Sequence, residues 1–345
     1  MVNDTKLYGR WIEGKWEVFG IIDAFTESLV SSNISAIPAK IFNKFFVGIE
    51  TIEVSSVEDL TAALQDLEEV ALISINDDLS LSSTLSIPAG KEVTFDLNGN
   101  DINASSMAFS IDNSTVTISN GAVTSAANDA ILVTNGGTLI IDNADITSSN
   151  RNAISVKEGA TAIINGGNIT SQEAGILGLK NSNIVINDGV ITGIDNGPVM
   201  GNGSAAGSAN DGTNMNVVMN GGTLIAHIQS TGYIACAVYV PNSGSFTMNG
   251  GQIISDGCGI CMRGGTVNLN GGSITAAGES GVKGKVGDSR VVVGPYAVVY
   301  DAQSRYPAMN TLELNIAAGM ILEGTDGDID YVLEDGVEAN VHDNR

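Results

Sequence analysis

Along most of the chain the hydrophobic and polar positions repeat one short pattern: apolar, any, apolar, turn, apolar. It recurs as FDLNGNDI, VTISNGAVT, LIIDNADIT, AIINGGNIT, IVINDGVIT, VVMNGGTLI, FTMNGGQII, VNLNGGSIT and ELNIAAGMI. Aligned on the third turn position, the copies fall at Asn100, Gly121, Ala144, Gly167, Gly189, Gly222, Gly251, Gly272 and Gly319. The spacings are 21, 23, 23, 22, 33, 29, 21 and 47 residues, which we read as single repeats, two repeats carrying insertions, and a final double repeat. Pairs such as Val116 and Ile118, or Leu139 and Ile141, stand two residues apart and so share one face of a strand. One apolar residue follows each turn (Val123, Ile146, Ile169), and a third apolar pair lies midway to the next, as in AILVT and AISVK. Three short strands per repeat predict a coil of triangular section. A single coil cannot bury its inward side chains, but stacked coils can. Nine or ten coils over residues 90–325 should make a rod on the order of 45 Å long.

The Asn at the first turn position recurs at Asn98, Asn165, Asn187, Asn220, Asn249 and Asn270. Asn and Gly tolerate left-handed backbone, and stacked amides can bond along a parallel stack, so these residues are expected to be corner-makers.

These NGG-I-T coils resemble the right-handed parallel β-helix of the pectin-lyase-like superfamily, over roughly residues 70–325. VSSVEDLTAALQ followed by VTFDLNG resembles the entrance to such helices, where an amphipathic helix covers the first coil. The resemblance implies an all-β fold: a right-handed, single-stranded parallel β-helix with an N-terminal capping helix. It does not select an activity, because the superfamily spans pectin-degrading enzymes, adhesins, phage tailspikes and other virion proteins.

Ser55 and Glu58 fit a capping box, and Val57, Leu60, Ala63, Leu64 and Leu67 mark one helical face. We therefore divide the chain into residues 1–50, a capping and entry segment at 51–69, the β-helix at 70–325, and an acidic cap or tail at 326–345. Residues 1–50 hold eight of the 17 aromatics: Tyr8, Trp11, Trp16, Phe19, Phe25, Phe42, Phe45 and Phe46. Such a segment is small for an independent core and rich in interface residues, so it reads as an attachment or oligomerisation region. Folding back on the first coils is the alternative.

Composition sharpens this division. Of the formal charge of −24, residues 1–50 carry only −1 and the remainder −23. Such acidity opposes nucleic acid and anionic membrane as partners. The segment from Met1 to Phe19 lacks the basic start and apolar run of a signal peptide, and no apolar run is long enough for membrane insertion. Three cysteines, Cys236, Cys258 and Cys261, are too few for a disulfide scaffold.

Candidate chemistry is sparse, and we expect no catalytic residues, metal site or cofactor. Asp326, Asp328 and Asp330 have calcium-loop spacing, but Tyr331 and Val337 stand where that loop needs Gly and Glu. CGIC has the spacing of half a zinc site without the other half. Its Cys258 is placed at a corner and Cys261 outward, while Cys236 shares the inward parity of Val238 and Val240. Lys283, Lys285 and Arg290 form the one compact basic group; with Arg305 and Tyr306 they outline a lateral surface suited to uronate or phosphate. Tyr233, Tyr239, Tyr296 and Tyr300 leave a sugar-binding groove open.

The expected function is structural: a phage capsid decoration or head fibre, assembled in the cytoplasm and carried on the virion surface. Its N-terminal region would grip a capsid or other virion protein. A carbohydrate-binding or polysaccharide-cleaving β-helix and a surface adhesin are the alternatives; a homotrimer and a glycan ligand stay open.

Overall fold

The computed structural model describes residues 5–12, 15–23, 29–30, 51–194, 196–201, 212–227, 236–285, 292–302 and 312–345. The chain divides into two compact units, Met1–Glu50 and Thr51–Arg345. In the first, Thr5–Ile12, Lys15–Asp23 and Leu29–Val30 form an antiparallel sheet in which Trp11 and Trp16 are register partners.

The second unit is an all-β solenoid of three parallel sheets with, among the described residues, one helix, α1 (Val57–Gln65). Each coil contributes one strand to each sheet in turn. The first sheet has twelve strands, from Thr51–Val54 to Val341–Asp343. The second has ten, from Leu79–Leu81 to Ile321–Gly324, and the third ten, from Leu85–Ile87 to Gly327–Leu333. The parallel sheets thus continue beyond 70–325 at both ends, and much of the acidic segment 326–345 is strand.

Register explains why the period survives insertions. Val116 pairs with Leu139, Leu139 with Ala162 and Ala162 with Ile184, so the inward position of one coil always meets that of the next. The alternating burial of Thr115–Ser119 and its successors leaves every second side chain outside. These columns merge into one core, in which residues such as Phe95, Ile118, Ile146 and Leu269 have no exposure. Each such side chain gains about 2–3 kcal/mol on burial. A column of small residues, including Ser125, Ser148, Ser171 and Ser255, lies buried at the end of the second sheet. There the Ser125 Oγ lies 2.7 Å from the carbonyl oxygens of both Ser106 and Asn128, either of which can accept its one proton.

Two expectations change. The 47-residue spacing is a single coil with a long excursion, because Thr266–Leu269 pairs directly with Glu313–Ile316 and Ser273–Ala276 with Ile321–Gly324. Periodicity alone could not separate two plain coils from one long one. The helix cap stands one residue later than predicted: the Ser56 Oγ accepts from the Asp59 N–H at 3.0 Å, and the Asp59 carboxylate accepts from the Ser55 N–H. Asp therefore takes the reciprocal role that Glu58 was given. On the predicted helical face, Leu60, Leu64 and Leu67 are buried against the core.

Glycine is required at five successive corners between the first and second sheets, whereas earlier corners use Asn120 and Asn143 at φ +56° and +59°. Gly167, Gly189, Gly222, Gly251 and Gly272 take φ between +80° and +102°. At Gly222 a Cβ would also stand 2.7 Å from the Gly189 carbonyl oxygen, whereas at Gly319 (φ +86°) it would meet nothing. Gly319→Ala should therefore cost about 1–2 kcal/mol from backbone strain alone. Gly222→Ala should cost clearly more, because the coils must part. Urea unfolding of both variants checks this; equal losses would remove the steric part of the argument.

Candidate functional site

The corners carry the predicted amide column. Asn187 donates to the Asn165 Oδ1 at 2.8 Å, and Asn220 to Asn187, Asn249 to Asn220 and Asn270 to Asn249 at 2.9 Å each. Asn98 stands at an earlier corner of different geometry, with φ +53° and its own N–H directed to Asp96. There the next coil offers Ser119 at the first turn position. The column is exposed and self-satisfied, which leaves its amides committed to one another. A second stack that spacing did not reveal lies where the third sheet turns into the first. Asn113, Asn135, Glu158, Asn181 and Asn214 take φ of +47° to +58° there, and Asn214 donates to Asn181 at 3.0 Å.

The third sheet differs from the others on its outer face. Its outward column runs Ser110, Leu132, Ser155, Leu177, Met200, Tyr239, Cys261 and Val299 in register. From Met200 onward these side chains are buried, and with Ala174, Cys236, Cys258 and Val293 they make a second apolar cluster outside the main core. Cys236 belongs here and not with Val238 and Val240; it departs from their parity because both Cys236 and Tyr239 face outward on the same strand. Cys258 lies within the strand Cys258–Met262, and Cys261 is outward as expected yet fully covered.

The three thiols adjoin one another. Cys236 and Cys258 are register partners, with their sulfurs 3.4 Å apart. Burial pushes the Cys236 and Cys258 thiols up, and the hydrogen bond with Cys236 followed by burial does the same for Cys261. They are packing groups in their neutral form, held away from the thiolate that redox or metal chemistry needs. Beside them the Arg263 Nε meets the Asp301 Oδ2 at 2.9 Å, with side chains 1% and 8% exposed. The two residues are 38 apart in sequence, so no local motif announced the pair.

Where the apolar row opens upstream, it forms a shallow groove of about 320 Å³ lined by Asp129, Leu132, Arg151, Asn152, Lys157 and Leu177, among others. Asp129 is committed: it accepts from the Asn152 backbone and side-chain nitrogens at 3.3 and 3.1 Å and from the Ser155 Oγ at 2.7 Å. Arg151 is half exposed, with Glu173 at 3.8 Å. The groove thus joins two cations, side-chain amides and a leucine floor, from three successive coils. Sequence reasoning missed it because its residues are spread over 52 positions; only the repeat spacing of Asp129, Asn152 and Ala174 could have pointed there.

The predicted site residues fare unevenly. Tyr8 and Trp11 lie on Thr5–Ile12, and Trp16 and Phe19 on Lys15–Asp23; Phe25, Phe42, Phe45 and Phe46 fall outside the described residues. Lys283 is exposed, and Lys285 lies on the short strand Gly284–Lys285, paired with Val292–Val293. Arg290, Arg305, Tyr306 and Tyr233 fall outside the described residues. Tyr239 and Tyr300 are buried, so they are not part of an open sugar platform; the Tyr300 hydroxyl donates to the Leu312 carbonyl at 3.1 Å. Asp326 accepts from the Ser280 Oγ at 2.7 Å and from the Gly281 N–H, which together hold its carboxyl below the usual range. Among the described residues no group of three or more His, Cys, Asp or Glu could hold a metal ion, and no helix is long and apolar enough to cross a membrane.

Two outcomes follow from the outer cluster. At pH 8 the native chain should react with a thiol reagent far more slowly than free cysteine, releasing three equivalents only in denaturant; fast native labelling would show that the cluster is open. Asp301→Ala, which removes one member of the buried Arg263–Asp301 ion pair, should cost about 3–5 kcal/mol in chemical denaturation. A loss below 1 kcal/mol, typical of exposed pairs, would contradict the burial of this one.

Set against known proteins, the chain matches no family model, no curated protein and no solved structure.

Proposed function

We propose that the protein is a structural component of a phage particle, a capsid decoration or head fibre, attached through residues 1–50 and projecting an acidic β-helix. The observation that supports this most is the coincidence of two boundaries. The chain separates into compact units at residue 50, and there the composition changes from near-neutral and aromatic-rich to strongly acidic. A self-contained rod with a compositionally distinct foot suits display at a distance from a surface. The rod's stacked strands bury their backbone bonds and resist proteolysis, and its charge keeps neighbouring projections apart. The virion surface is the location this reading assigns, with a capsid or other virion protein as partner.

The test is cosedimentation with purified particles that lack the protein. The full chain should travel with the particles, and residues 51–345 should remain at the top of the gradient with an unchanged circular dichroism spectrum. Cosedimentation of the truncated rod would place attachment elsewhere, and failure of the full chain to bind would remove the reading.

The groove beside Arg151 and Lys157 favours a second reading, binding of an acidic polysaccharide. Two cations over a leucine floor suit a uronate ring, whose carboxylate and apolar face need both. Retention of the chain on immobilised polygalacturonate at about 150 mM salt, lost in the Arg151→Ala, Lys157→Ala double variant, would support it. Retention equal in both would assign the interaction to another surface.

A further inference from the structure

The two ends of the solenoid are finished differently. Upstream, α1 lays Leu60 and Leu64 on the core. Downstream, each of the three sheets ends on a strand that has no further strand neighbour among the described residues: Ile321–Gly324, Gly327–Leu333 and Val341–Asp343. Val337, Ala339 and Val341 cover part of this end. The inward column of the third sheet nevertheless surfaces there. Tyr300 and Ala302 are each 2% exposed, but their register partners on the last strand, Tyr331 and Leu333, are 48% and 38% exposed. Among the described residues, a core column therefore runs out along an edge strand of seven residues that pairs on one side alone. Such an edge is a template for one more strand.

Charge indicates what that strand carries. Residues 326–345 hold seven carboxylates and one arginine. The arginine shows the chemistry this rim accepts: the Arg345 Nη1 donates to the Asp328 Oδ2 and its Nη2 to the Asp343 Oδ2, both at 2.8 Å, so one guanidinium spans the last strands of the third and first sheets. The Asp343 carboxyl is held below its usual range by that contact. Asp330, Asp335 and Glu338 add further negative charge. The same end of a second copy would bring equal charge and be repelled.

We propose that this end face docks an extended, lysine- or arginine-bearing segment of another protein, added as a further parallel strand beyond Gly327–Leu333. Its apolar side chains cover Tyr331 and Leu333, and its cations face the acidic rim. The proposal is independent of what residues 1–50 bind.

The probe is a fluorescein-labelled Lys-Val-Lys-Val-Lys-Val-Lys peptide, titrated with the full chain at about 150 mM salt and followed by anisotropy. Its control is the same peptide with proline at the central position, which keeps the charge and removes the ladder donor. The expected result is saturable one-site binding, weakened at least about tenfold by the proline and by the Tyr331→Lys, Leu333→Lys double variant. Urea unfolding of the variant confirms that it is folded; if it is not, Tyr331→Ser replaces it. Equal binding of both peptides, or undiminished binding by the variant, would reduce the interaction to attraction by a −24 chain and overturn the proposal. Absence of binding would overturn it too. End-to-end dimers in light scattering, abolished by the same variant, would give the face to a second copy instead.

Discussion

Everything in the solenoid depends on in-register parallel stacking, which repeats each chemical environment about every 4.8 Å. A side chain pointing inward is buried only by its counterpart one coil away, so the columns must stay alike in kind: Val116, Leu139, Ala162 and Ile184 in one, Ile146, Ile169 and Ile191 in another. The same rule sets the small buried column of Ser125, Ser148 and Ser171, in which the Ser125 and Ser148 hydroxyls both meet the Asn128 carbonyl. It also concentrates glycine at the corners, since a Cβ at Gly222 or Gly251 would meet the carbonyl of the glycine below.

Stacking also governs charge. Like charges directly opposite one another destabilise a sheet, and a repeated charged position would stack like on like along the whole rod. The outward column Thr94, Thr117, Ile140, Ile163, Val185, Val218, Thr247, Asn268 and Asn315 carries no charge at all, in a chain of net −24. Carboxylates occur instead at corners, where an amide can answer them. Asn168 donates to Asp145 at 2.9 Å, and Asn135 to Asp112 at 3.1 Å. The acidity is therefore compatible with the fold because it is kept off the centres of the faces and gathered at turns and at the downstream end.

The coils were legible because stacking imposes period two within strands and a near-constant period between them, and both survive in a single sequence. The amide column was legible for the same reason, as Asn165 through Asn270 recur at the turn. What was not legible depends on contacts between coils or outside them. Whether 47 residues hold one coil or two is decided by pairing of Thr266 with Glu313, which no local pattern encodes. Cys236 escaped because the outward face of the third sheet is apolar, so inward and outward positions look alike there. Arg263 with Asp301, and Leu132 and Leu177 with Arg151 and Lys157 in the groove, are brought together by the stack from residues with no shared motif.

The interruptions of the repeat follow from the same constraint. The 33- and 29-residue intervals leave the amide column unbroken, at 2.9 Å from Asn220 to Asn187 and from Asn249 to Asn220. Their extra residues, like those of the 47-residue coil, fall on either side of third-sheet strands. None enters the corner between the first and second sheets. A residue added at that corner would displace a left-handed glycine and break the amide column in both directions. The other two corners carry no such continuous lock and tolerate length. Variation is thereby directed to the borders of one sheet, the third, whose outer face bears the second apolar layer and the groove. A solenoid fixed along one edge and free along another offers partners a single variable surface, and the third sheet is the face where such a surface can be built.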